Sequence, residues 1–84
     1  MYKVEFVKSA FKDLKKLNKK DQRRILKEID ILSQNPFSEL LKYRKVKARE
    51  NLFRIRIGDY RIIYKVEKDI LRIIVIRIGH RKDV

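Results

Sequence analysis

The hydrophobic pattern changes period along the chain. Tyr2 to Val7 alternates, with Val4 and Phe6 on the face opposite Lys3 and Glu5, which predicts a first strand. From Ser9 the spacing lengthens. Phe11, Leu14 and Leu17 recur every third residue, predicting a helix over Ala10–Leu17 with Ser9 as N-cap. Asn18 breaks it. A second helix is predicted over Lys19–Ser33, with Ile25, Ile29 and Leu32 on one face and Leu26 widening the stripe. Gln34-Asn35-Pro36 ends it, because the residue before a proline is pushed out of the α region. Residues 37–51 carry no clean period, and Lys42-Tyr43-Arg44-Lys45-Val46-Lys47 within them reads as a basic loop.

Period two then returns. Residues 53–57 alternate apolar and charged, and Tyr60 to Val66 follows after Gly58-Asp59, a two-residue connection that suits a type II′ hairpin turn. That turn length sets the register: Ile57 faces Tyr60, Arg56 faces Arg61, Ile55 faces Ile62 and Arg54 faces Ile63. Opposed residues share a face. Phe53, Ile55, Ile57, Tyr60, Ile62, Tyr64 and Val66 therefore form an apolar face, and Arg54, Arg56, Arg61 and Lys65 a basic one. After Glu67-Lys68-Asp69, the segment Ile70–Ile78 contains the continuous apolar run Ile73–Ile76, suited to a central strand. A three-residue turn at 67–69 pairs Arg61 with Val75 and puts Arg77 on the basic face; a turn one residue longer or shorter puts Arg72 there instead. Either way Gly79-His80-Arg81 leaves the sheet near the first hairpin. The order is β-α-α-β-β-β. It predicts a single α+β domain over 1–84, with two N-terminal helices packed on one face of a mainly antiparallel four-stranded sheet.

Composition narrows the partners. The 84 residues include 24 Lys or Arg against 11 Asp or Glu, a net charge of +13. Such density points to nucleic acid, an acidic protein or an anionic membrane surface. A domain this small buries roughly 60% of the surface its unfolded chain exposes, so a partner can add much to its stability. No apolar run reaches transmembrane length and the N-terminus has no signal-peptide core, so a soluble cytoplasmic protein is expected. Cysteine is absent, which removes disulfides and thiolate metal sites.

The remaining chemistry is that of cations on phosphate. With only Gly58 and Gly79, no glycine-rich phosphate loop exists. The lone histidine and the serines Ser9, Ser33 and Ser38 make no nucleophilic triad. Two arginines opposed across a ladder repel each other; such a face is either solvated surface or an anion cradle, and the cradle gives the repulsion a purpose. Lys42, Arg44, Lys45, Lys47, Lys65 and Arg77 extend the basic surface as candidate RNA contacts. Tyr43 among them either stacks on a base or packs against the sheet. The basic residues of the second helix form either a solvated face or a nucleic-acid contact. RNA carries its own nucleophile, the 2′-hydroxyl, so a protein can cleave it by holding the backbone in line and stabilising the transition-state charge. His80 is the single near-neutral titrator and a candidate proton carrier.

The segments LFRIRIGDYRIIYKV and IGHRKDV, in this order of elements, resemble the RelE/ParE superfamily of toxin–antitoxin toxins, and its RelE branch most closely. The resemblance implies a ribosome-dependent, metal-independent endoribonuclease that cuts mRNA in the ribosomal A site, leaving a cyclic phosphate and a 5′-hydroxyl, with no cofactor. By position, Arg54 and Arg56 match two basic catalytic residues of the family, Arg61 its phosphate-contacting arginine and Arg81 the arginine after the last strand. The implied partners are an acidic RelB-like antitoxin, the ribosome and mRNA, with operator DNA reached only through the antitoxin complex. Relatives often carry lysine at the positions of Arg54 and Arg56. They also commonly carry a tyrosine just past the HRKDV-like end. This sequence stops at Val84, so either the chain continues or proton transfer falls to His80. A ParE-like inhibitor of DNA gyrase and a non-catalytic RNA-binding module are the rival expectations.

Overall fold

The computed structural model describes residues 1–47 and 51–80. Strand β1 (Lys3–Phe6) leads into helices α1 (Lys8–Lys15) and α2 (Lys19–Gln34), followed by β2 (Tyr43–Lys45), β3 (Leu52–Ile57), β4 (Tyr60–Glu67) and β5 (Arg72–His80). The strands form one sheet in the order β1-β5-β4-β3-β2, with β1 parallel to β5 and the other pairs antiparallel. Both helices cover one face, α1 lying chiefly over β5 and α2 reaching β1 and β3.

Helix α2 follows its sequence pattern. Ile25, Ile29 and Leu32 are buried, whereas Leu26 stays 44% exposed and does not widen the stripe. Asn18 serves as its N-cap, the side-chain oxygen accepting from the Asp21 amide at 2.8 Å. Helix α1 starts earlier than expected: Val7 is the N-cap, without a side-chain bond, and Ser9 lies inside the helix. Ala10 and Leu14 are its buried residues, while Phe11 remains 47% exposed, edge-on to Phe6. Beyond the end of β1, the Ile78 amide of β5 donates to Asp13 of α1 at 3.3 Å, so a helix carboxylate satisfies part of the strand that β1 does not reach.

One core joins the layers. Ile25 and Leu32 from α2 meet Ile55, Ile62, Tyr64, Val66, Ile73 and Val75 from the sheet, all almost fully enclosed. Each such aliphatic side chain contributes about 1.5–3 kcal/mol by leaving water. Phe37, Tyr43, Phe53 and Tyr64 add an aromatic cluster at the β2 side, with ring centroids 5.6–6.0 Å apart.

Two features depart from expectation and both bear on the basic face. The stretch read as a loop at Lys42–Lys47 contains a fifth strand, β2, in which Tyr43, Arg44 and Lys45 pair with Ile55, Arg54 and Phe53. A three-residue, charge-rich edge strand has too little pattern to stand out in a sequence, and charge is what an edge strand tolerates. The β4–β5 connection is also longer than three residues. A 3₁₀ turn over Lys68–Ile70 closes through Leu71 at φ +50, so Glu67 pairs with Arg72. A bulge in β5 then shifts the register between the Ile63 and Tyr64 pairs, leaving Ile76 unopposed. Arg61 consequently faces Gly79 and not Val75, and Ile63 faces Arg77. The longer turn brings Arg72 to the basic face, and the bulge brings Arg77 there as well.

Candidate functional site

The β3–β4 hairpin has the expected register throughout: Arg56 opposes Arg61, Arg54 opposes Ile63 and Ile57 opposes Tyr60. Gly58 sits at φ +58 and no other residue of the turn has a positive φ, matching the φ signs of a type II′ turn. Strand β2 then sets Arg44 directly beside Arg54. Two opposed arginine pairs therefore lie two residues apart along β3, across three neighbouring strands, on the face that the helices leave open.

Their side chains enclose a concavity of about 310 Å³ lined by Lys42, Arg44, Arg54, Ile55, Arg56 and Arg61. Five of the six lining residues are cationic and none is a carboxylate. Arg44, Arg54 and Arg56 are exposed and Arg61 is half-buried. Arg56 is steered from below: its Nε donates to the Gly58 carbonyl at 3.5 Å. Lys65, opposite Leu52 and Ile74, and Arg77, opposite Ile63, lie on the same face outside the concavity.

The far end of that face is neutralised. Arg72 bridges Glu67 at 2.7 Å and Glu5 at 3.2 Å, and these carboxylates, Glu67 foremost, push its guanidinium pKa further up. The face thus carries its cluster of cations at the β2 side and the Arg72 ion pairs at the β1 side. Lys45 opposes Phe53 and so belongs to the helix side of the sheet, and Lys47 follows in the turn; neither lines the concavity. Tyr43 packs edge-on against Phe37 and Phe53, which favours packing over base stacking.

His80 is set apart from the arginines. It opposes Tyr60, on the helix side of the sheet, with the rings edge-on at 6.0 Å. The offset of β5 decides this, and it separates His80 from the cradle as a proton carrier. Arg81 lies outside the described residues. The Tyr60 hydroxyl donates to Asp21 Oδ2 at 3.0 Å, and this bond, with slight desolvation and the charges of Asp21 and Asp59, raises its pKa.

Sequence reasoning undervalued Lys42 and Arg44, which join the cradle and are not merely peripheral. The signal was a short alternation: Leu41 and Tyr43 point inward, Lys42 and Arg44 outward. The helical pattern groups Arg24 with the other basic residues of α2 as solvated face or nucleic-acid contact, whereas its guanidinium lies against Gly58 at the hairpin tip. Chemically, the concavity can hold a polyanion by forked, two-point contacts. Among the described residues it offers no carboxylate to accept a proton.

A family described as the ParE toxin of the type II toxin–antitoxin system parDE matches residues 4–84. Toxin RelE3 of Methanocaldococcus jannaschii is 38% identical over 84 residues, spanning 98% of this chain and 93% of that protein. The archaeal RelE–RelB complex from Pyrococcus horikoshii is similar in structure, with a TM-score of 0.85 at 32% identity over 99% of this chain and 98% of that one. The RelB–RelE antitoxin–toxin complex from Methanococcus jannaschii gives a TM-score of 0.76 at 37% identity, covering 94% and 92%.

Proposed function

The chain belongs to the RelE/ParE superfamily as a toxin of a RelBE-type toxin–antitoxin system, and from that premise we propose that its arginine cradle cleaves mRNA on the ribosome. The observation that carries the reading is the concavity itself, with Arg56 opposed to Arg61, Arg44 opposed to Arg54, and no carboxylate in the lining. Arg54, Arg56 and Arg61 grip the scissile phosphate, while Lys42 and Arg44 hold the backbone beside it. Lys65 and Arg77 extend the track across the sheet.

In this mechanism the ribose 2′-hydroxyl attacks the adjacent phosphate and the 5′-oxygen leaves, giving a cyclic phosphate and a 5′-hydroxyl. The protein supplies alignment and charge. Fixed guanidinium forks stabilise the additional negative charge of the phosphorane-like transition state more than they stabilise the diester. Arginine does not lose its proton, so proton transfer belongs to groups of the ribosome, the RNA or solvent, or to residues beyond His80. Arg81 is assigned by resemblance to stabilising the developing charge. The proposed partners are an acidic RelB-like antitoxin that covers the basic face, and the ribosome with its mRNA; operator DNA is met only through the antitoxin complex. The site of action is the cytoplasm.

The test is mRNA cleavage in a translating extract, mapped by primer extension, for the wild type and Arg61→Ala. Loss of one phosphate-stabilising donor is expected to slow cutting about 10²–10³-fold. Equal cutting by both proteins removes the mechanism. Inhibition of gyrase supercoiling without mRNA cleavage would assign the ParE-like activity instead.

A further inference from the structure

The hairpin that carries Arg56 and Arg61 is held at its tip by the helical layer. An ideal Cβ at Gly58 would fall 2.7 Å from Nη1, 3.0 Å from Cζ and 3.3 Å from Nη2 of Arg24, so the guanidinium of α2 lies across the glycine. The carbonyl of the same residue accepts from Arg56 Nε at 3.5 Å. Asp21, three residues before Arg24 and on the same side of α2, accepts from the hydroxyl of Tyr60, two residues after Gly58. Asp21 is itself fixed, because Asn18 receives its amide at 2.8 Å and donates to its carboxylate at 3.1 Å. Helix α2 therefore touches the turn on both sides of Asp59.

We infer that Arg24 and the Asp21–Tyr60 pair form a two-point latch that sets the pitch of the β3–β4 hairpin and so holds Arg56 and Arg61 converging on one anion. Opposed guanidinium groups repel, and the single bond from Arg56 to the Gly58 carbonyl does not fix the pitch of the hairpin that carries both. A third guanidinium at the tip adds to that repulsion in the empty protein, and a bound phosphate offsets it. Glycine suits the seat chiefly through its φ of +58, which strains other residues, and an added side chain would also push aside the flexible end of Arg24. Arg24, Asp21 and Tyr60 are positioning residues in this account. The catalytic consequence rests on the nuclease reading, whereas the latch itself does not.

Two measurements on the full chain separate these. The side-chain Nε–Hε NMR signals of Arg56 and Arg61 report the latch, and single-turnover cleavage of ribosome-bound mRNA alongside RNA binding reports its consequence. Arg24→Gln and Tyr60→Phe are expected to move or broaden both arginine signals. They should also slow cleavage about 10²-fold while RNA affinity changes only about threefold, the split expected of misplacement. Asp21→Asn still offers an oxygen to Tyr60 and should keep most of the rate. Tyr60→Phe removes a single oxygen, and a melting curve confirms that it folds. Unchanged arginine signals in both variants overturn the proposal, as does a loss of affinity without a change in those signals, which would make Arg24 a direct contact. Moved signals in the variants, with a wild type that cuts no ribosome-bound mRNA, leave the latch standing and remove the nuclease.

Discussion

At the scale of single residues, Tyr64 shows how much the core tolerates. Its side chain is fully enclosed and stacked on Phe53 at 5.9 Å, yet its hydroxyl has no hydrogen-bond partner. Burial pushes its pKa far up, so it stays neutral at any physiological pH. A buried, unsatisfied hydroxyl costs about 1–3 kcal/mol. Tyr64→Phe is therefore expected to leave stability unchanged or raise it by about 1 kcal/mol, measured by urea unfolding. Tyr64→Ala in the same assay should cost about 3–5 kcal/mol through the cavity it leaves. Destabilisation by Tyr64→Phe would mean that the hydroxyl has a partner after all.

At the scale of elements, the second helix links the cap to the cradle. The first helix closes at Lys16, and Asn18 caps the next, with Asp21 at the third helical position answering it. Asn18→Ala is expected to lower stability by about 1 kcal/mol, as for other N-caps, read from thermal melts. Asn18→Ser should recover most of it, since serine offers the same acceptor. The Arg72 bridges to Glu5 and Glu67 are expected to contribute little, because all three side chains remain partly exposed. Arg72→Met should change the melting temperature only slightly and less still at high salt. The hairpin register was legible because glycine at the first turn position and a two-residue connection leave one alignment. The β4–β5 offset was not. Ile73–Ile76 is apolar at every position, so sliding it by one residue still buries isoleucine or valine. Only the 3₁₀ turn, Leu71 and the bulge decide which side Arg77 and His80 take.

At the scale of the whole molecule, charge is the dominant property. A chain of +13 with a hollow lined by five cations is expected to bind single-stranded RNA with a steep salt dependence. One phosphate held by Arg54, Arg56 and Arg61 and one each by Lys42 and Arg44 give a slope of log affinity against log salt of about −2, and Lys42→Ala should reduce its magnitude by about 0.7. Fluorescence anisotropy over a salt series measures both. A slope unchanged by Lys42→Ala would place the RNA elsewhere on the surface.

The sequence by itself determined the α+β class, the helical stripe of Ile25, Ile29 and Leu32, and the opposition of Arg56 to Arg61. Each of these follows from local periodicity or from a turn of fixed length. Tertiary structure alone decided the rest: that Arg44 joins the cradle through a three-residue edge strand, that His80 lies on the helix side, and that Arg24 reaches Gly58. Those placements depend on long-range pairing and packing between elements, where no local repeat in the chain records which partner each residue will meet.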